Sequence, residues 1–147
     1  MKLIIAALVL ICGICDYACA DNLIVGQYSY HFKKYMYAGG PEFRDKHALI
    51  GYSTENYTFI AMKNSFDKNS LVALRTFHKD FNSNFRGYAS IGVATGYSKY
   101  IDESVGDLSP VGYFNLDIHP RSNRFGLVVT YAPDVFVGVG VRLKIGN

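Results

Sequence analysis

The amino-acid sequence predicts an all-β protein, an eight-stranded antiparallel up-and-down β-barrel. Hydrophobic residues recur mainly at every second position, the period of a strand, rather than at the helical period of about 3.6. Tyrosine, phenylalanine and glycine are abundant, with 12, 10 and 14 copies, whereas tryptophan is absent. Aromatic and β-branched residues are typical of strands. The predicted strands are residues 22–32, 47–53, 57–66, 70–79, 84–97, 109–119, 124–132 and 134–145.

Residues 1–20 have the order of a cleaved secretory signal peptide. Lys2 precedes an apolar run, Leu3–Ile14, and the segment Ala18-Cys19-Ala20 supplies small residues for cleavage. The run has about 12 residues, fewer than the roughly 20 that a membrane-spanning helix needs. We therefore expect two regions, a signal peptide (1–20) and one β-barrel domain (21–147).

The composition excludes several kinds of site. All three cysteines, Cys12, Cys15 and Cys19, lie in the signal segment, so the exported domain is expected to have no disulfide and no zinc–cysteine site. The formal net charge is +3 and there is no basic run, so nucleic acid is not an expected partner. No cluster of histidine and carboxylate residues has metal-ligand spacing, and we expect neither a metal nor a cofactor.

The last strand shows the alternation most clearly. One face is wholly aliphatic: Val135, Val137, Val139, Val141, Leu143 and Ile145. The other face is Phe136, Gly138, Gly140, Arg142 and Lys144. In the first strand, strict alternation places Leu23 and Val25 on the face of Gln27, Ser29 and His31. A polar face opposite an aliphatic face favours a polar lumen and a lipid-facing wall.

Strand number and loop length also favour the outer-membrane type of barrel. An even number of strands of about ten residues is typical of the smallest transmembrane barrels, which have short periplasmic turns and longer external loops. Two long loops, 33–46 and 98–108, fall on the external side if the N-terminus is periplasmic. A soluble eight-stranded barrel such as a lipocalin, with its aliphatic face inside, is the alternative. We expect an outer-membrane monomer.

A histidine and a serine are the candidate chemical groups. His31 and Ser65 end two strands that run in the same direction, so both lie at the external rim. A histidine beside a serine is able to accept the hydroxyl proton in acyl transfer. Rim residues of barrels are also polar simply because they are wet. The carboxylates of the two long loops are expected to be solvated: Glu42, Asp45, Asp102 and Glu103.

Small residues on the lumen face have two interpretations. They are Gly92, Ala94, Gly96, Gly138 and Gly140. Missing side chains would leave room for an acyl chain inside a narrow barrel. Glycines in strands equally mark bending and close contact between strands.

Several motifs, in order along the chain, resemble the lipid A palmitoyltransferase family, the PagP-type outer-membrane acyltransferases. Tyr30-His31 resembles the aromatic-histidine motif that ends the family's first strand. The segment 61–66, with Lys63-Asn64-Ser65-Phe66, resembles its Lys-Asp-Ser-aromatic motif. The segment 84–96 resembles its glycine-rich central strand, and later counterparts are Val111-Gly112-Tyr113 and Thr130-Tyr131-Ala132-Pro133.

The resemblance implies an enzyme that transfers an acyl chain from a phospholipid to lipid A. The family's rim residues carry over to His31 as base or proton relay, Ser65 as hydroxyl and Asn64 in the place of an aspartate. An amide orients a neighbour but cannot compensate an imidazolium charge. On this interpretation the exchange Asn64→Asp would raise activity.

The sequence is compatible with three functions. The first is an acyltransferase or lipid-acyl hydrolase at the outer leaflet. The second is a non-catalytic barrel that binds lipid or a surface partner. The third is a soluble periplasmic carrier of an apolar ligand. Membrane lipids, phospholipid and lipid A, are the expected partners of the first.

Overall fold

Eight antiparallel strands close into a barrel in the computed structural model, which describes residues 22–33, 42–97, 104–119 and 124–145. The strands are β1 (Asn22–His31), β2 (Lys46–Ser53), β3 (Tyr57–Lys63), β4 (Asn69–Asp80), β5 (Phe85–Thr95), β6 (Leu108–Ile118), β7 (Phe125–Ala132) and β8 (Phe136–Lys144). Each strand pairs with the next, and β8 pairs with β1. The predicted all-β barrel is confirmed. The predicted signal peptide lies outside the described residues.

The two ends of the barrel differ in their connections. One end, called the loop end, has the connections after β1, β3, β5 and β7, including both long loops. The other, called the turn end, has the connections after β2, β4 and β6 together with the first residue of β1 and the last of β8. His31 lies at the loop end because β1 ends there. In the part of the chain that is described, no helix is long and apolar enough to span a membrane.

Alternate side chains point into the lumen and out of the wall. In β8, Gly138, Gly140 and Arg142 are buried, whereas Val139 and Val141 lie on the outer surface, 46% and 40% exposed. The same pattern in β4 buries every second residue from Ser70 to Thr76. The aliphatic face predicted for the last strand is therefore on the outside of the barrel.

A β-bulge at Gly26 changes the faces predicted for the first strand. The pairing of β1 with both neighbours shifts between Val25 and Gln27, and Gly26 has a φ of +62°. Glycine adopts this left-handed conformation without the steric cost that a Cβ adds. The extra residue reverses the alternation, so Val25 points outward, whereas Gln27 and Ile24 line the lumen. The prediction that Leu23 and Val25 share a face with Ser29 and His31 is therefore wrong.

The lumen has an apolar half and a polar half. Towards the loop end, Val72, Leu74 and Ala94 form the buried core, with Met62 and Tyr113 among the residues packed on it. Towards the turn end, four hydroxyls on adjacent strands form a hydrogen-bonded row: Ser53, Thr58, Thr76 and Ser90. Beyond them, the Arg142 guanidinium donates to Asp117 and, at 2.7 Å, to the Tyr88 hydroxyl. Partners of this kind offset the cost of burying polar groups.

Candidate active site at the loop end

Three side chains from separate segments meet at the loop end. His31 is the last residue of β1, Asp45 immediately precedes β2, and Ser65 follows β3 by two residues. The His31 Nε2 atom lies 3.1 Å from Ser65 Oγ, and its Nδ1 atom lies 3.3 Å from Asp45 Oδ1. His31 and Ser65 are buried, whereas about half of the Asp45 side chain is exposed. The structure thus places a carboxylate, an imidazole and a hydroxyl in line.

The contacts assign the proton positions on the imidazole. A carboxylate only accepts, so Nδ1–H of His31 donates to Asp45. The Nε2 lone pair is then directed at Ser65, whose hydroxyl donates to it. This order is that of a serine nucleophile, its general base and the acid that orients the base. The 3.3 Å contact is long, as catalytic hydrogen bonds often are before substrate binds.

Backbone hydrogen bonds hold the three segments together. The Ser29 amide donates to the Asp45 carbonyl at 2.7 Å, and the Arg44 amide donates to the Ser65 carbonyl at 3.0 Å. Residues 44 and 45 are therefore attached both to β1, which ends in His31, and to the turn that presents Ser65. The geometry of the site therefore depends on residues 44 and 45, where the chain enters β2.

Asn64 shapes the turn that presents Ser65. It is fully buried, and its Oδ1 atom accepts from the amides of Phe66 and Lys68, both at 3.0 Å. Its Nδ2 atom donates to the Gly96 carbonyl, also at 3.0 Å. These bonds give partners to backbone groups of the turn after β3 and of the chain after β5. The described bonds of the Asn64 side chain go to the backbone, and the carboxylate beside His31 comes from Asp45.

Two comparisons with known proteins give no match to this chain. No protein-family model matches the chain, and no curated protein matches it. The relation to the PagP-type acyltransferases therefore stays a resemblance of short motifs.

Aromatic rings enclose the imidazole. The His31 ring stacks on Phe43, with centroids 4.6 Å apart and planes 10° apart, and it also packs against Phe136. Phe43 in turn packs on Phe66 at 5.3 Å. The rings place apolar surface around the buried Ser65–His31 pair. Electrostatic interactions are stronger in such surroundings.

Cations lie on the exposed side of the turn that contains Ser65. Arg44 Nη1 and Lys63 Nζ both donate to Asp67 Oδ1, at 2.6 Å and 3.1 Å. The Lys63 hydrogen bond holds the pKa of the Asp67 carboxyl below its ordinary value, and the charges of Arg44 and Lys68 add to this. Three positive groups thus surround Asp67, which follows Ser65 by two residues in the chain.

The lumen beneath the site is too small for a long acyl chain. Its cavity is about 60 Å³, with Met62, Leu74, Tyr113 and Phe136 in the lining. A cavity of roughly 150 Å³ is needed for a ligand the size of benzene. The prediction of room for an acyl chain fails because side chains fill the lumen.

The lumen glycines instead mark close approach between strands. A Cβ on Gly92 would lie 2.0 Å from the Ala73 carbonyl oxygen, and one on Gly140 would lie 2.9 Å from the Gly26 carbonyl oxygen. Backbone atoms cannot move aside as a flexible side chain does. The alternative interpretation of these residues, strand contact, therefore accounts for Gly92 and Gly140.

Of the predicted site residues, His31 and Ser65 are brought together, and Asn64 is adjacent in the chain but has different contacts. Sequence reasoning treated Asp45 as a solvated loop carboxylate. The available signal was its place immediately before β2, at the same rim as His31. Within the described ranges, no group of three or more histidine, cysteine and carboxylate residues is arranged to hold a metal ion.

Proposed function

We propose that this protein is an outer-membrane enzyme that transfers an acyl group from a membrane lipid through Ser65, with His31 as general base and Asp45 as its orienting acid. The contacts of His31 with Ser65 and Asp45 carry the proposal. A serine hydroxyl is a weak nucleophile until a base accepts its proton. The barrel supplies that base at the end of β1, two strands away from β3, the strand that precedes Ser65.

The outer wall supports a membrane location. Large apolar side chains are exposed over the middle of the wall, including Ile50, Leu71, Ile91, Leu127 and Val139. Exposed aromatic rings lie near both ends: Tyr28, Tyr30, Phe32 and Tyr131 towards the loop end, and Tyr57, Phe77, Phe85 and Phe125 towards the turn end. An apolar band between two aromatic girdles is typical of barrels in lipid. A soluble carrier would have the reverse polarity.

The topology supports a site at the outer leaflet. In outer-membrane barrels the short turns are periplasmic and the longer loops are external. The loop end, with His31, Asp45 and Ser65, is then on the external side. Phosphate groups of phospholipid or lipid A would meet Arg44 and Lys63 there.

The proposed reaction has two halves. Ser65 Oγ attacks the ester carbonyl carbon of the donor lipid while its proton passes to His31 Nε2. The tetrahedral intermediate collapses, the ester C–O bond breaks, and the leaving lipid hydroxyl takes the proton from His31. The acyl-Ser65 ester is then attacked by a lipid A hydroxyl or by water, whose proton passes to His31 Nε2. The bond between the acyl carbon and Ser65 Oγ breaks, and Oγ takes the proton back from His31, which releases acylated lipid A or a free fatty acid. Because the lumen is filled, the acyl chain lies against the rim rings Phe43 and Phe66.

A serine-directed fluorophosphonate tests the proposal on the purified protein in detergent. We expect covalent labelling at Ser65 that Ser65→Ala abolishes and that His31→Ala and Asp45→Asn reduce by about 100-fold or more. The double variant His31→Ala/Asp45→Asn should lose little beyond His31→Ala, because cooperating groups are non-additive. Ser53→Ala, which removes a buried lumen hydroxyl at the turn end, is the matched control. Labelling that is absent or independent of His31 would contradict the proposal.

The second candidate is a non-catalytic barrel that binds lipid or a surface partner. The burial of His31 and Ser65 beneath aromatic rings favours it, since a hydrogen-bonded rim network also stabilises a barrel without chemistry. On this account His31→Ala would lower stability and leave every lipid product unchanged.

A further inference from the structure

A second serine–histidine pair lies beside the candidate active site. His47 Nε2 is 2.8 Å from Ser29 Oγ, and the His47 ring is 6.2 Å from the His31 ring, edge to face. Ser29 is 1% exposed and His47 is 9% exposed. Because substrate cannot reach a hydroxyl this deeply buried, the pair has a role other than nucleophilic attack.

The pair connects the two strands that carry the base and the nucleophile. His47 is on β2, between β1 and β3, and its Nδ1 atom lies 3.1 Å from the Lys63 carbonyl oxygen. Lys63 precedes Ser65 by two residues, and Ser29 precedes His31 by two residues. His47 therefore spans from the base-bearing strand to the nucleophile-bearing strand at the level just below the site.

The same contacts determine the tautomer of His47. A backbone carbonyl only accepts, so Nδ1–H donates to Lys63, and Nε2 accepts the proton of the Ser29 hydroxyl. The Ser29 amide also donates to the Asp45 carbonyl at 2.7 Å. Ser29 thus links His47 to the segment that carries the orienting carboxylate.

We propose that Ser29 and His47 are positioning residues that set the separation between Ser65 and His31 and hold Asp45 at the His31 Nδ1 atom. This inference rests on the proposed function, because it concerns the alignment of that reaction. A misplacement of about 1 Å costs roughly 100-fold in rate. The hydrogen bonds to the Lys63 and Asp45 carbonyls restrict such a displacement.

Saturation kinetics of fluorophosphonate labelling separate positioning from general damage. Ser29→Ala and His47→Asn both lose the Ser29–His47 bond, whereas the amide introduced by His47→Asn retains a donor towards Lys63. We expect each to lower the maximal labelling rate of Ser65 by about 10- to 100-fold, with the half-saturating probe concentration unchanged. The double variant should equal either single variant, since both remove the same bond. His47→Ala loses both bonds and should be slower still, so that His47→Asn is a partial rescue.

Controls and contradicting outcomes distinguish this inference from the proposed function. Ser53→Ala should label at the wild-type rate, and folding is verified for every variant by heat-modifiable gel mobility. If His47→Ala does not fold, Ser29→Ala and His47→Asn decide the question. Wild-type maximal rates in both would overturn the positioning role while leaving the reaction at Ser65 intact. An unlabelled wild-type protein would overturn both proposals.

Discussion

At the residue scale, Asn64 and Asp45 make different kinds of contact near Ser65 and His31. The amide of Asn64 satisfies three backbone groups and builds the turn, a task that requires both a donor and an acceptor. The carboxylate beside His31 comes instead from Asp45. An asparagine at position 64 is therefore compatible with a complete serine–histidine–carboxylate arrangement.

Replacement of Asn64 is a test of this difference. We expect Asn64→Asp to destabilise the protein by about 1–3 kcal/mol and not to raise activity, because a carboxylate at this buried position has no donor for the Gly96 carbonyl. Denaturant unfolding in detergent measures the change. The matched control is Asn82→Asp at the turn end, where the described bonds of the Asn82 side chain are accepted by Oδ1 alone. A gain of acyl-transfer activity in Asn64→Asp would return the orienting role to position 64.

Sequence patterns predicted part of the site and missed the rest for a physical reason. The proximity of His31 and Ser65 follows from strand direction, which alternating hydrophobicity reveals. The position of Asp45 beside His31 depends on residues 44 and 45, which backbone bonds hold to Ser29 and Ser65. No residue periodicity encodes bonds of that kind.

At the element scale, single glycines determine how strands meet. The bulge at Gly26 reverses the faces of β1, so the strand presents His31 and Ser29 to the lumen while Val25 and Tyr28 face outward. Strict alternation fails there, because an inserted residue is invisible to a period-two pattern. The predicted third strand was also too long. It ends at Lys63, where Asn64 turns the chain.

Variants of two glycines on opposite faces of the wall distinguish two explanations of the lumen glycines, close strand contact and space for an acyl chain. Gly92→Ala should lower stability by at least about 1–3 kcal/mol, because its Cβ would collide with the Ala73 carbonyl oxygen. Gly112→Ala should be well tolerated, since the nearest atom to its Cβ is the Ser90 carbonyl oxygen at 3.5 Å. Thermal unfolding in detergent measures both variants. A stable Gly92→Ala protein that accepts shorter acyl chains would restore the lumen as the chain-binding site.

At the scale of the whole molecule, part of the barrel lumen is polar, whereas the outer wall is largely apolar. Hydroxyls and the Arg142–Asp117 pair occupy the polar half of the lumen, while aliphatic and aromatic side chains cover the outside. The strand count, antiparallel order and inside–outside pattern of the last strand followed from the sequence. The filling of the lumen could not be predicted from the sequence, because it depends on how side chains from all eight strands fit together.

A charge on the outer wall tests the membrane location. Val139→Arg should make folding into lipid vesicles less favourable by about 2–4 kcal/mol if this side chain meets the bilayer midplane. Val105→Arg is the control, since Val105 is 81% exposed and lies outside the strands. Heat-modifiable gel mobility reports the folded fraction. Equal folding of the two variants, or recovery of the wild type as a soluble periplasmic monomer, would exclude a lipid-facing wall at Val139.

Mass spectrometry of lipid A and phospholipids measures acyl transfer through Ser65 in the membrane itself. The cells are bacteria with an outer membrane that express the wild-type protein or Ser65→Ala at equal levels. We expect wild-type cells to gain lysophospholipid together with acylated lipid A or free fatty acid, and Ser65→Ala cells to resemble cells without the protein. Identical lipid profiles in all three strains, with the wild-type barrel folded in the outer membrane, would contradict acyl transfer through Ser65.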